Sequence, residues 1–320
     1  MWREESSIDL GAEAGMWFVA EVTNEESRAL ARVVLDGLSV GDAFGEAFAY
    51  SHHDMRRRVA AGVPAGPWWW TDDTAMALGI EECLLRAGSI DETVLAWIFA
   101  RNFKREPDRG YGKMARRVLQ QIGAGVPWEE ASRGAFDGGS MGNGAAMRVG
   151  PLGAWFADDL DRVVSEAVKS ARVTHWHPEG VAGAVAVAVA VACAWQSRGT
   201  EAELARELIG REVMARTPAG GTREMIGAAL RMEPETELGR VARELGNGSL
   251  VTAPDTVPLV VWSALRSLDD FAGAIVTTVE AGGDCDTNAA MVGSILVARL
   301  GRDSIPVEWL EARERLPPLP

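Results

Sequence analysis

The sequence predicts an all-α fold, a compact helical bundle in one domain. Three observations point there. Apolar residues recur at i, i+3 and i+4 through most of the chain, behind Asn, Asp or Thr and acidic first turns. No Ser/Pro tract or internal repeat divides the 320 residues. Many of the 35 glycines sit where helices start or stop.

The elements follow in order. Residues 1–22, "MWREESSIDLGAEAGMWFVAEV", are acidic and broken by glycines, and read as an N-terminal extension to a domain over 23–320. They lack the basic start and apolar run of a signal peptide. Asn24 caps a predicted helix over 25–45, with Glu25 and Glu26 in its first turn. "TAMALGIEECLLRA" (74–87) repeats the pattern and stops before Gly88, and another helix starts at Asp91. "PWEEASRGAF", "DLDRVVSEAVKSARV", "TEAELARELIGREVMART", "TREMIGAALRM", "TELGRVARELG", "TVPLVVWSALRS" and "LDDFAGAIVTTVEAG" are helical in the same way. "VAGAVAVAVAVACAW" (181–195) alternates like a strand, but both residue types are apolar, so no polar face results. Its length and alanine content favour a buried helix, and it is short for a bilayer span. "DTNAAMVGSILVARLG" is the last long helix, with a short one after Pro306.

Composition bounds the function. The net charge of −14, from 32 basic and 46 acidic residues, carries no global nucleic-acid footprint. An anionic ligand would need a local positive charge, such as a metal. Cys83, Cys193 and Cys285 are far apart, odd in number and form no CxxC. That argues against a disulfide framework and a structural zinc site, and for a reducing, cytoplasmic location.

Two junctions carry the chemistry. "WWWTDDTAMAL" places Thr71, Asp72, Asp73 and Thr74 at a helix start, and "GGDCDTNAAMVG" places Asp284, Asp286 and Thr287 at another. Capping explains one acid at such a place. It does not explain four acids and two threonines in two look-alike junctions. In an extended segment Asp284 and Asp286 share one face, with Cys285 turned away. Four carboxylates brought together repel unless a cation holds them, and oxygen donors suit Mg²⁺ or Mn²⁺. "DGGSMGNGAAMRVGPLG" (137–153) is a glycine-rich loop entering a helix at about Asn143. Such a loop offers backbone N–H groups to a phosphate, with Arg148 adding charge; a plain turn is the alternative. "ARVTHWHPEGVAGA" (171–184) holds His175 and His177 ahead of a Pro at the first helical position, as loop residues or ligand contacts.

In order along the chain, "GLSVGDAFGEAF", "WWWTDDTAMAL", "PDRGYGKM", "GGSMGNGAAMRVGPLG", "THWHPEGVAGA" and "GGDCDTNAAMVGSILVARLG" resemble the ADP-ribosylglycohydrolase family, the group that includes dinitrogenase reductase-activating glycohydrolase. The resemblance covers roughly residues 30–301. It implies a compact all-α bundle with two divalent cations, Mg²⁺ or Mn²⁺, held by Thr71, Asp72 and Asp73 on one side and Asp284, Asp286 and Thr287 on the other. It implies Ser140, Gly142, Asn143, Gly144 and Met147 as contacts of the ADP-ribose diphosphate and ribose, with His177 closing over the same ligand and Tyr111 lining the cleft. Trp68 to Trp70 either wall that cleft or pack in the core. Many relatives have a Glu where this chain has Ala49; either Glu46 does that work from a shifted backbone or this branch works without it.

The implied reaction is hydrolysis of the ribose C1″ linkage of an ADP-ribosylated protein, nucleic acid or small molecule, with ADP-ribose as product and no membrane or general nucleic-acid partner. Asp72, Asp73, Asp286 and Glu46 are its candidate catalytic groups. The rival readings are a non-catalytic ADP-ribose-binding or structural, crystallin-like member, and a metal-dependent phosphohydrolase.

Overall fold

The structure, a computed structural model, describes residues 25–49 and 55–318. The N-terminal extension lies outside them. The described residues form sixteen α-helices and two 3₁₀ turns, with isolated bridges at Trp68–Arg313 and Gly142–Thr252. The first half holds α1 (Glu25–Ala49), α2 (Met55–Ala60), α3 (Asp72–Ala87), α4 (Glu92–Arg105), α5 (Lys113–Gly123), α6 (Trp128–Arg133), α7 (Gly150–Trp155) and α8 (Leu160–Arg172). The second holds α9 (Pro178–Gln196), α10 (Ala202–Arg216), α11 (Gly221–Arg231), α12 (Leu238–Leu245), α13 (Ala253–Arg266), α14 (Phe271–Glu280), α15 (Cys285–Leu300) and α16 (Val307–Ala312).

The alanine–valine run is helical, as its composition predicts. α9 packs against α7, α8, α10, α13 and α15, and its residues from Gly180 to Ala194 are all buried. It is long and apolar enough to cross a membrane, but 83% of that stretch is buried inside the protein. Helices surround it on every side, so its apolar surface is used up in packing.

Several elements differ from the sequence reading. α1 runs past residue 45 to Ala49, so Glu46 is a helical residue. α2 and α5 were not expected. α5 follows directly on "RGYG", and its Val118 and Leu119 are buried beside the partly buried Met114 and Ile122. These are the i, i+4, i+5, i+8 positions of an amphipathic helix, masked in sequence by Arg116, Arg117 and two glutamines between them.

What positions the site is the pairing of α1 with α15. A Cβ added at Gly41 would lie 2.1 Å from the Ala289 carbonyl oxygen, and one at Gly45 2.5 Å from the Asp286 Cα. One turn earlier, a Cβ at Gly37 would lie 2.6 Å from the Gly293 oxygen. Glycine at every fourth position therefore lets the two backbones touch along three turns. Beside that seam Phe44 stacks on Trp309 at 4.4 Å and meets Trp68 edge-on at 5.4 Å.

Candidate active site

Asp42 stands between two of these glycines, is fully buried, and is the residue the sequence reading missed. Its carboxylate reaches across to the start of α3. It accepts from the Thr71 N–H (2.9 Å to Oδ2), the Thr74 N–H (3.1 Å) and the Thr74 hydroxyl (2.5 Å), and the Thr71 hydroxyl lies 2.9 Å from its Oδ1. The free N–H groups of α3 are thus satisfied largely by a carboxylate from another helix.

Thr71 is the N-cap of α3 and accepts from the Asp73 N–H at 3.3 Å. Its hydroxyl proton goes to Asp42 or to Asp73 Oδ2, 3.1 Å away. Thr71 is therefore a cap that orients two carboxylates. Trp70, just before it, is buried under the Arg109 guanidinium, which sits 3.5 Å from its ring. Trp68 is in the core and Trp69 is exposed, so the three tryptophans do not form one wall.

At the second junction α15 begins at Cys285, so Asp284 precedes the helix while Asp286 and Thr287 lie in its first turn. The extended arrangement read from the sequence is replaced by a helix start. Cys285 is indeed turned into the core. Asp284 makes no capping bond; its Oδ2 accepts from the Asn143 amide at 2.6 Å instead. The Asp284 N–H is held by the Asn247 carbonyl at 3.1 Å. A Cβ on Gly248 would lie 2.6 Å from the Asp284 Cβ, so the 247–252 loop presses directly on the site. Val251 in that loop has φ 56°, a rare conformation for a β-branched residue. Its carbonyl accepts from the Asn143 N–H at 3.2 Å.

The two junctions converge on Asp73. Carboxylate oxygens of Asp42, Asp73 and Asp286 lie within 4.8 Å of one another, and the Thr287 hydroxyl points to Asp73 Oδ2 at 3.4 Å. Burial, with repulsion from Asp286, pushes Asp42 up to about 7 despite its hydrogen bonds. Burial and Asp286 likewise push Asp284 up to about 8. Burial first, then neighbouring carboxylates, drive Asp72 and Asp73 well above the usual carboxylate range. Asp73 Oδ1 is buried without any hydrogen-bond partner. An orphaned carboxylate oxygen among other carboxylates, with no sulfur or imidazole in the set, fits a hard divalent cation.

The other expected residues are distributed as follows. Asp72 is half-buried beside Gly110, and Tyr111 is buried edge-on against Phe103 at 5.0 Å. Glu46 is half-buried one turn beyond Asp42 but outside the group of three convergent carboxylates. The glycine-rich loop enters a three-residue 3₁₀ turn, Asn143–Ala145, and not an α-helix. The Gly142 N–H is spent on Ser140 Oγ (3.1 Å) and that of Asn143 on the Val251 carbonyl (3.2 Å), so these two are not offered to a ligand. Met147 is buried next to Gly144. His177 caps α9 by accepting from the Glu179 N–H at 3.1 Å, and its ring lies beside Gly138. His175 is buried with its Nε2 against Gly142 and Gly144, and burial pushes it down to about 3. Arg148 is turned into the core and does not add its charge to the loop surface.

The chain as a whole has known relatives. A family model described as ADP-ribosylglycohydrolase matches residues 23–319. ADP-ribosylhydrolase ARH3 of Homo sapiens is 31% identical over 327 residues, covering 88% of each chain. ADP-ribosylarginine hydrolase Tri1 of Serratia proteamaculans (strain 568) is 25% identical over 302 residues, covering 91% of this chain and 76% of its own. A solved structure, an ADP-ribosylglycohydrolase-related protein complex, is similar with a TM-score of 0.66 at 26% identity, covering 91% of this chain and 94% of that one. With the family match spanning nearly the whole sequence and the fold all-α as in that structure, the chain belongs to the ADP-ribosylglycohydrolase family and is a glycohydrolase enzyme.

Proposed function

We propose that the enzyme cleaves the ribose C1″ linkage of an ADP-ribosylated substrate and releases ADP-ribose, using two divalent cations, Mg²⁺ or Mn²⁺. The observation that carries this reading is the partnerless Asp73 Oδ1 where Asp42, Asp73 and Asp286 meet. Asp72, Asp73, Asp284 and Asp286 would hold the cations, with Thr287 beside them. Bound there, they would fix ribose hydroxyls and lower the pKa of a water.

The chain's own residues supply the rest. Asp42 and Thr71 fix the entry of α3, and so the aim of Asp72 and Asp73. Asn143 fixes Asp284. Asp72, Asp284 and Asp286 are only half-buried, which gives the cluster an open side. One of these three takes the proton of the attacking water as the acceptor departs and positive charge grows on the ribose. Gly144 and the ring of His177 flank the loop to which the family resemblance assigns the diphosphate; gripping it converts binding into positioning.

The substrate is an ADP-ribosylated protein, nucleic acid or small molecule. One relative is named an ADP-ribosylarginine hydrolase, so ADP-ribosylarginine is one of the acceptors to be tried. All three cysteines are buried and free, which suits a reducing, cytoplasmic setting. The −14 charge favours neither general nucleic-acid binding nor an anionic membrane surface. The test is a panel of defined substrates, with ADP-ribose on arginine, serine, nucleic acid and acetate, assayed with Mg²⁺, with Mn²⁺ and with chelator. Cation-dependent release of free ADP-ribose is expected. Release of inorganic phosphate, or turnover untouched by chelation, overturns the reading.

A further inference from the structure

Arg148 is the anomaly of the core. Among the described residues two other arginines are buried, Arg299 and Arg313, and each pairs with an aspartate at 3.1 Å. Arg148 is 0% exposed and has no carboxylate within salt-bridge distance. Its Nη2 donates to the Ser170 carbonyl at 2.9 Å, its Nη1 lies 3.7 Å from Met76 Sδ, and its guanidinium sits 4.6 Å from the Phe99 ring centre. Its Nε has no partner. Neutral contacts of this kind do not offset the cost of burying a cation. Burial lowers its pKa to about 9, against an opposing pull from Asp72, so it stays charged at neutral pH.

The compensating charge lies one turn away along α3. Met76, under the guanidinium, follows Asp72 and Asp73 by one turn. The cluster holds five carboxylates, those of Asp42, Asp72, Asp73, Asp284 and Asp286. Two divalent cations leave that set one negative charge in excess, and one guanidinium cancels it.

We propose that Arg148 is the fixed counter-charge of the aspartate cluster: a buried positioning residue that brings the loaded site to neutrality and limits how tightly it holds its cations. It touches neither substrate nor cation. The inference rests on the two-cation reading above. The loaded site then carries no net charge, and the cluster is less repelling to an anionic diphosphate than five carboxylates alone. A merely structural Arg148 would make a different mark: any substitution would loosen the site and weaken cation binding.

The experiment is calorimetric titration of Mg²⁺ into chelator-treated wild type, Arg148→Met and Arg148→Lys. In wild type two cations are expected; none overturns the two-cation reading, and this inference with it. Given uptake by wild type, Arg148→Met should bind its first cation about tenfold more tightly, the scale of one unit charge across a protein interior. Arg148→Lys, which keeps the charge and loses the planar fork, should bind as wild type does. Unchanged or weaker binding by Arg148→Met overturns the proposal, and so does an Arg148→Lys that behaves like it. Where Arg148→Met shows no cooperative melting without metal, adding Asp72→Asn should restore a transition by removing one negative charge; a double variant that stays unfolded also overturns it.

Discussion

The junctions at Thr71–Thr74 and Asp284–Thr287 look alike in sequence and are built for different work. At the first, three N–H groups of the helix start are capped by side chains: Thr71 accepts from Asp73, and Asp42 accepts from Thr71 and Thr74. At the second, Asp284 occupies the capping position, makes no cap and is tied to Asn143. Because Asp42 and Thr71 cap α3, Asp73 is left free to keep one oxygen without a protein partner. An acid at a helix start is thus not informative by itself. What matters is whether another group has taken over the capping.

The largest effect that sharpens this comparison is expected at Asp73. Asp73→Asn should cut kcat on the order of 10³-fold, at the upper end of losses seen when one preorganised polar group is removed. The same change should raise the melting temperature of the metal-free protein, since the buried charge is disfavoured there. Loss of both activity and metal-free stability would make Asp73 part of the scaffold.

Next comes the contrast between Asp42 and Asp284. Asp42→Asn places an NH₂ group opposite N–H donors and should cost about 1–2 kcal/mol, the scale of a lost cap. Asp284→Asn removes no cap and should leave metal-free stability equal or higher. Urea unfolding of the two variants without metal decides this; equal destabilisation would erase the distinction between the junctions. Asn143→Ala, which frees Asp284, should weaken Mg²⁺ affinity by about 10–100-fold, as losses of orienting partners do. Calorimetry reads that directly.

The pH dependence has a defined sign. Asp42 and Asp284 are raised from 3.8 to about 7 and about 8 in the folded protein. The native state therefore binds more protons, so their contribution to stability is full below 3.8 and is lost as pH rises through 7 to 8. His175 is lowered from 6.5 to about 3, so its opposing effect is confined to pH below 6.5. Between pH 6.5 and 8 the metal-free melting temperature should fall, and saturating Mg²⁺ should flatten the curve. The smallest effect is expected at Asp91, which caps α4 through the Val94 N–H at 2.9 Å. Asp91→Asn keeps a good cap and should leave both turnover and Mg²⁺-induced stabilisation unchanged.

The fold class was legible because an apolar period of 3.6 survives in almost every helix, and α9 could be read from length and alanine content alone. α5 escaped because basic residues and glutamines separate its four apolar positions. The two junctions were legible as doubled acids. Asp42 was not: it lies inside a helix, where an acid ordinarily marks a solvated face. The signal that locates it is Gly37, Gly41 and Gly45, which show that this face meets another backbone. The loop at 247–252 gave no sign of its role, because Gly248 and the Asn247 carbonyl act on Asp284 through the main chain.

The seam between α1 and α15 has a consequence for how this enzyme can drift. Where helices are spaced by side chains, many combinations of volume keep the same separation, and neighbours compensate for one another. Here main chain meets main chain, and no neighbour can shrink to make room for a methyl at Gly41 or Gly45. The distance from Asp42 to Asp286 is therefore inherited from the backbone. A displacement near 1 Å is enough to cost about 100-fold in rate, while the described helices, most of them packed on one large apolar cluster, can absorb such a shift and stay folded. An alanine at either glycine should give a protein that survives as a fold after it has failed as a catalyst, which is a route from hydrolase to inert relative through a single carbon atom.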